Sequence, residues 1–218
     1  MHWYDKDGNP KHWVEAKDGT KRGTTLRDAR KLNLVPSVTS ILDIMSKPGL
    51  DRWKTNKTIE ASLSLRRGDF EDDDSLSKRI LQESKREVEE ASKRGIRIHD
   101  LLESFFKTGS IPNDKEDEAI IRSVQTLLYS NYSDTFPSST DPWVIDFKTK
   151  EFDAGAKSLA YDSMGYQLAA YKKGIGAPKG TRIANIFISA SNPGISIFHE
   201  WSAEDTLRFE EWQLMETK

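Results

Sequence analysis

A chain of 218 residues can bury one sizeable core, and 36% hydrophobic with 31% charged residues at a mean hydropathy of −0.68 exclude a disordered or membrane-embedded polymer. The absence of cysteine rules out disulfides, thiolate nucleophiles and cysteine-based zinc sites, so any metal would be held by oxygen and imidazole, a set that suits Mg²⁺ or Mn²⁺. With 33 basic and 35 acidic side chains the net charge is −2, so bulk charge would not hold nucleic acid and a DNA partner would require a local basic groove.

The opening residues Met1-His2-Trp3-Tyr4-Asp5 contain no basic region followed by an apolar stretch, so no signal peptide is expected and the expected location is cytoplasmic, with no membrane partner. Trp3-Tyr4 and His12-Trp13-Val14 flank Asp7-Gly8-Asn9-Pro10, which predicts an N-terminal hairpin. Val38, Ile41, Leu42 and Met45 follow a helical spacing that is expected to stop at Pro48-Gly49. A second helix is predicted from Leu50 through Trp53 to Leu63, closing near Arg66-Arg67-Gly68 and carrying Arg52, Lys54 and Lys57 at polar positions. The acidic run Glu71 to Asp74 reads as a solvated loop leading to an N-cap at Ser75. Leu76, Ile80, Val88, Ala91, Ile98, Leu102 and Phe105 then mark one long helix or two consecutive ones, with Gly95 at a close approach or a break. Asp114 is expected to cap a helix that turns Ile120, Ile121, Val124, Leu127 and Leu128 to the core and ends near Ser130.

Beyond a Ser/Pro/Asp-rich connection, Trp143-Val144-Ile145-Asp146-Phe147-Lys148 is short and bulky enough to predict a strand, expected to be central. Tyr161, Met164, Leu168, Tyr171 and Ile175 place a helix after it, ending in Gly174-Ile175-Gly176-Ala177-Pro178. Two strands, Ile183 to Ser189 and Ile195 to Trp201, are expected about the turn Asn192-Pro193-Gly194, and Ser202 to Asp205 caps a last helix through Leu207, Trp212 and Met215. There is no internal repeat. The pattern implies one α/β (α+β) domain over 1–218, with the hairpin and helices in 1–70 and the core in 75–218.

The chemistry-bearing residues gather on three of these elements. Asp146 and Lys148, two apart on a strand, leave the same face, so an acid and an ammonium are presented together and the Phe147 carbonyl could add a ligand. For phosphodiester hydrolysis such a pair is apt, because a carboxylate holds a metal while a lysine orients the attacking water and offsets developing charge. Taken alone, Asp-x-Lys describes a surface ion pair on an edge strand better than a catalytic pair. On the helix before the strand, His99 and Glu103 stand at i and i+4, where a lone histidine is more often a packed one. On the helix after it, Gln167 and Tyr171 share a face, which by itself describes a core helix with one polar neighbour.

The order of these pieces resembles the PD-(D/E)XK nuclease superfamily, and within it the RecB-like exonucleases encoded by phages and related to the mitochondrial genome maintenance exonuclease. That group carries a helical G-x-x-x-H-x-x-x-E, then an Asp, then D/E-x-K on a strand, then Q-x-x-x-Y on a helix. The matching residues are Gly95, His99 and Glu103, then Asp146 and Lys148, then Gln167 and Tyr171. Thr24 to Arg30, Pro36 to Leu42 and Lys47-Pro48-Gly49-Leu50 also look like the phage branch, so the likeness spans roughly 1–175. It implies a restriction-endonuclease-like core, a central mixed sheet flanked by helices, with a helical N-terminal extension and hairpin. It also implies a Mg²⁺- or Mn²⁺-dependent deoxyribonuclease acting on DNA ends or single strands, in phage or prophage DNA processing and alongside a possible recombination partner protein. By the same likeness His99 and Asp146 would be metal ligands, Lys148 the catalytic lysine, and Gln167 and Tyr171 supports for DNA or the site. Lysines and arginines of the second and third helices would line the DNA backbone, with Trp53 stacking on bases.

One departure stands out. The family places an Asp in a hairpin ahead of D-x-K, but here residues 131–142 are short for two strands and carry two prolines, so that hairpin is expected to be shortened or lost. Asp134, twelve residues ahead of Asp146, is the candidate for the remaining ligand. The alternative that follows is a catalytically weakened or inactive nuclease-like module that binds DNA or a protein.

Overall fold

The structure is a computed structural model, and it describes residues 2–43, 48–132, 142–157 and 159–215. It is a mixed α/β chain whose residues cluster into two compact units, Met1–Ser46 and Lys47–Lys218.

In the first unit, β1 (Trp3–Tyr4) pairs antiparallel with β4 (Val35–Pro36), and β2 (Trp13–Glu15) with β3 (Lys21–Gly23). The expected hairpin between the two aromatic segments is therefore corrected. Its turn does form: Asp5 Oδ1 accepts the Asp7 and Asn9 amides, and Gly8 takes φ 83°. But the turn returns the chain only to a single bridge between Tyr4 and Pro10, after which Trp13–Glu15 pairs across a second turn at Asp18-Gly19. There Gly19 has φ 80°, the backbone that a tight Asp-Gly hairpin turn requires. The helix α1 (Leu26–Leu32) opens on a reciprocal Thr25/Asp28 capping box and closes on Asn33 in the left-handed region, and α2 (Val38–Leu42) is capped by Ser37.

The second unit holds α3 (Pro48–Ser64), α4 (Asp73–Thr108), α5 (Lys115–Tyr132), β5 (Trp143–Lys150), α6 (Asp162–Gly174), β6 (Arg182–Ser189), β7 (Ser196–Glu200) and α7 (Ala203–Met215). Pro48 opens α3 rather than ending the helix before it, a position where its missing N–H costs nothing and its fixed φ suits the first turn. The N-cap of α4 is Asp72, whose carboxylate accepts the Ser75 amide at 2.7 Å, so Ser75 sits inside the first turn and is not the cap. Helix α4 also runs unbroken through Gly95, and an added Cβ there would meet no atom within 4 Å, so neither a break nor a close approach occurs. Asp114 caps α5 as expected, accepting the amides of Glu116 and Asp117.

The sheet has the order β5-β6-β7, parallel between β5 and β6 and antiparallel between β6 and β7. Ile98 and Leu102 of α4 with Ile120, Ile121 and Val124 of α5 cover one face, meeting Ile186 and Ile188. Leu168 and Ala169 of α6 with Phe209 of α7 cover the other, meeting Ile183 and Val144. Strand β6 is buried throughout Ile183 to Ser189, the sign of a strand covered on both faces. It takes the central place expected of Trp143–Lys148, and β5, whose residues are all half-buried, lies at one edge of the sheet among the described residues. No helix among them is long and apolar enough to cross a membrane.

Candidate functional site

Strand alternation and cross-strand register decide which way each candidate faces. Val144 packs with α6 and Ile145 and Phe147 with α4 and α5, so Asp146, Lys148 and Lys150 point to the α6 side. On that side Lys148 Nζ lies 2.8 Å from Asp146 Oδ2 and donates to Gln167 Oε1 at 2.8 Å. Gln167 Nε2 in turn donates to Tyr171 Oη at 2.7 Å. Four of the sequence candidates thus form one connected row from β5 to α6. It is fixed from below, because Gln167 is buried on the inner face of α6 and Gly165 of the same helix lets the Phe209 ring approach. Two acceptors hold the Lys148 ammonium, which leaves its third N–H for water or phosphate.

The side chain of Asp146 receives a second donor that sequence reading did not anticipate. Asn185 stands beside Asp146 in register and donates from Nδ2 to Asp146 Oδ2 at 3.1 Å, while its Oδ1 accepts Trp201 Nε1 at 2.9 Å. His199 continues the row on β7 and meets the Trp201 ring edge-on at 4.6 Å. Its Nε2 is buried without a hydrogen-bond partner among the described residues, and burial pushes its pKa down, offset in part by Asp205. No signal in the sequence pairs position 185 with 146, because the register of a parallel crossover is set by packing.

Lys150, third in the row on β5, is the other residue that was missed. Its Nζ donates to the Leu159 carbonyl at 2.6 Å and lies 4.2 Å from the centre of the Tyr161 ring. Burial, with the Lys148 charge adding to it, pushes its pKa down to about 8. The only local hint was a third alternate position in Asp146-Phe147-Lys148-Thr149-Lys150.

The remaining candidates lie elsewhere. Pro142 and Lys150 direct their carbonyls to β6, so by alternation the Phe147 carbonyl points away from β6, to the side where no strand lies among the described residues. His99 is exposed on α4 and approaches β5 through the Phe147 ring, edge-on with 6.5 Å between centres, on the face opposite the Asp146 side chain. Glu103 is exposed and ion-paired with Lys107 one turn on. Asp134 lies outside the described residues, as does most of the connection in which a shortened or lost hairpin is expected. Among the described residues no three His, Asp or Glu side chains gather as a metal-ligand group. Of the cations expected to line DNA, Arg52 and Lys54 are exposed, while Lys57 is engaged by Glu60 at 2.8 Å and Glu87 at 3.3 Å; Trp53 is half-buried.

A hard divalent cation at this place would find one carboxylate oxygen and one carbonyl among the described residues. Asp146 Oδ1 carries no hydrogen bond among the described residues and the Phe147 carbonyl faces away from the sheet, which offers a carboxylate and a carbonyl. Mg²⁺ is commonly held by one or two carboxylates with water and substrate phosphate completing its shell. Comparison with protein-family models, with curated proteins and with solved structures finds nothing that matches the chain.

Proposed function

We propose that this chain is a Mg²⁺- or Mn²⁺-dependent deoxyribonuclease of the PD-(D/E)XK type, with a restriction-endonuclease-like core that acts on DNA ends or single strands. The observation that carries the reading is the row Asp146–Lys148–Gln167–Tyr171, in which the Asp-x-Lys of a strand and the Gln-x-x-x-Tyr of the next helix join through hydrogen bonds of 2.7–2.8 Å. Two motifs nineteen positions apart have no local reason to meet, and their meeting is what a shared task for the lysine would require.

In this reading Asp146 and the Phe147 carbonyl would hold the cation, with Asp134 as the second carboxylate, while His99, against the Phe147 ring on the opposite face of β5, is not assigned to it. The bound ion supplies Lewis-acid polarisation of a phosphoryl oxygen. Lys148, fixed by Asp146 and Gln167, orients the attacking water and offsets charge on the phosphate with its remaining N–H. Tyr171 holds Gln167, and through it Lys148, in place.

The test is incubation of the protein with end-labelled single- and double-stranded DNA in Mg²⁺, Mn²⁺ or EDTA. Metal-dependent cleavage is expected, lowered by roughly 10²–10⁴-fold in Asp146→Asn and in Lys148→Ala. Cleavage that survives both substitutions would sink the assignment. Wild-type protein that binds DNA without cutting it in any metal would point instead to a nuclease-like binding module.

A further inference from the structure

Asn185 occupies the middle of β6 with no exposure at all, and its neighbours on the same face, Ile183 and Phe187, are fully buried apolar residues. A buried amide is costly unless its groups are bonded. Here the bonds are directional. The Trp201 indole can only donate, so it turns Oδ1 of the amide toward itself and thereby turns the NH₂ toward Asp146. Asp146 Oδ2 then receives two N–H donors, Lys148 at 2.8 Å and Asn185 at 3.1 Å, and Oδ1 receives none among the described residues. One oxygen is occupied and the other offered, and the carboxylate is held against rotation.

We propose that Asn185, keyed by Trp201, is a positioning residue that fixes the Asp146 carboxylate so that Oδ1 is presented to a divalent cation. This rests on the nuclease reading above. It adds a component from β6 and β7 to a site whose other described residues come from β5 and α6. Groups that orient a metal ligand from behind typically change metal affinity by roughly 10–100-fold when removed. Trp201→Phe frees the amide to turn over and is expected to act in the same direction with a smaller loss.

The experiment uses the full chain and two readouts besides activity. In the nuclear magnetic resonance spectrum, the Asn185 side-chain amide is expected to have one proton shifted downfield, and the shift is expected to collapse in Asp146→Asn and in Trp201→Phe. Mn²⁺ binding, followed by electron paramagnetic resonance of the free ion, is expected to weaken roughly 10–100-fold in Asn185→Leu. Should Asn185→Leu fail to fold, Trp201→Phe and the amide signal decide the matter. An Asn185 amide signal indifferent to Asp146→Asn overturns the inference. So does Mn²⁺ affinity in folded Asn185→Leu equal to that of the wild type, and in that case the nuclease reading stands. Wild-type protein that neither binds Mn²⁺ nor cuts DNA overturns the nuclease reading, and with it the role assigned to Asn185.

Discussion

Lys150 shows how a single side chain couples the site to pH. Its ammonium is half-buried between the Tyr161 and Phe187 rings, near the Lys148 charge, and donates to the Leu159 carbonyl. Desolvation lowers its pKa from 10.5 to about 8. Between those two values the unfolded chain retains a proton that the folded chain has released, so this residue makes stability rise with pH across that window. Lys150→Met cannot titrate. Its melting temperature relative to the wild type is therefore expected to fall as pH rises from about 8 to 10.5, and a difference that stays flat with pH would refute the assignment. Asp146, Lys148 and Asn185 form the neighbouring stretch of the same face, and there the contacts are charge-assisted hydrogen bonds of fixed direction.

Two glycines in helices separate what local propensity fixes from what packing fixes. Gly95 lies inside α4 with open space where a Cβ would be, so Gly95→Ala is expected to stabilise by about 0.5–1 kcal/mol through helix propensity alone. Gly165 lies inside α6, where an added Cβ would overlap the ring of the fully buried Phe209. Gly165→Ala is expected to cost about 1–3 kcal/mol by overpacking, despite the same gain in propensity. Urea denaturation of the two variants checks both signs. A destabilised Gly95→Ala would restore a packing role for that glycine, and a stabilised Gly165→Ala would mean that α6 and α7 are not in contact at that point. The same contrast runs through the strands. β6 is buried from Ile183 to Ser189 with the small Ala184 and the polar Asn185 among its residues, while β5 sets Asp146, Lys148 and Lys150 between Ile145, Phe147 and Thr149 and is half-buried throughout.

At the scale of the whole molecule, protection should follow the sheet of the larger unit. Amides of Ile183 to Ile188 are flanked by β5 and β7 and covered by helices on both faces, so they are expected to exchange slowest, while the two-residue pairing of β1 with β4 is expected to exchange far faster. Hydrogen exchange resolved by residue tests this, and a β6 that exchanges as fast as β1 would contradict the packing described. By itself the sequence determined the helices and strands of the larger unit, since periods of 3.6 and 2 and caps such as Asp114 and Ser202 are local properties of the chain. It also determined that Asp146 shares a strand face with Lys148 and that Gln167 shares a helix face with Tyr171. It did not determine that β2 would close on the Asp18-Gly19 turn rather than on Asp7-Gly8, because two adjacent turn signals compete and only the pairing of distant backbone resolves them. Tertiary structure alone decided that β6 is central, that Lys148 meets Gln167, that Asn185 stands behind Asp146 and that His99 lies on the opposite face of β5. Each of those depends on the register and layering of elements far apart in the chain, which are set by how buried side chains fit together and leave no periodic trace in the residues themselves.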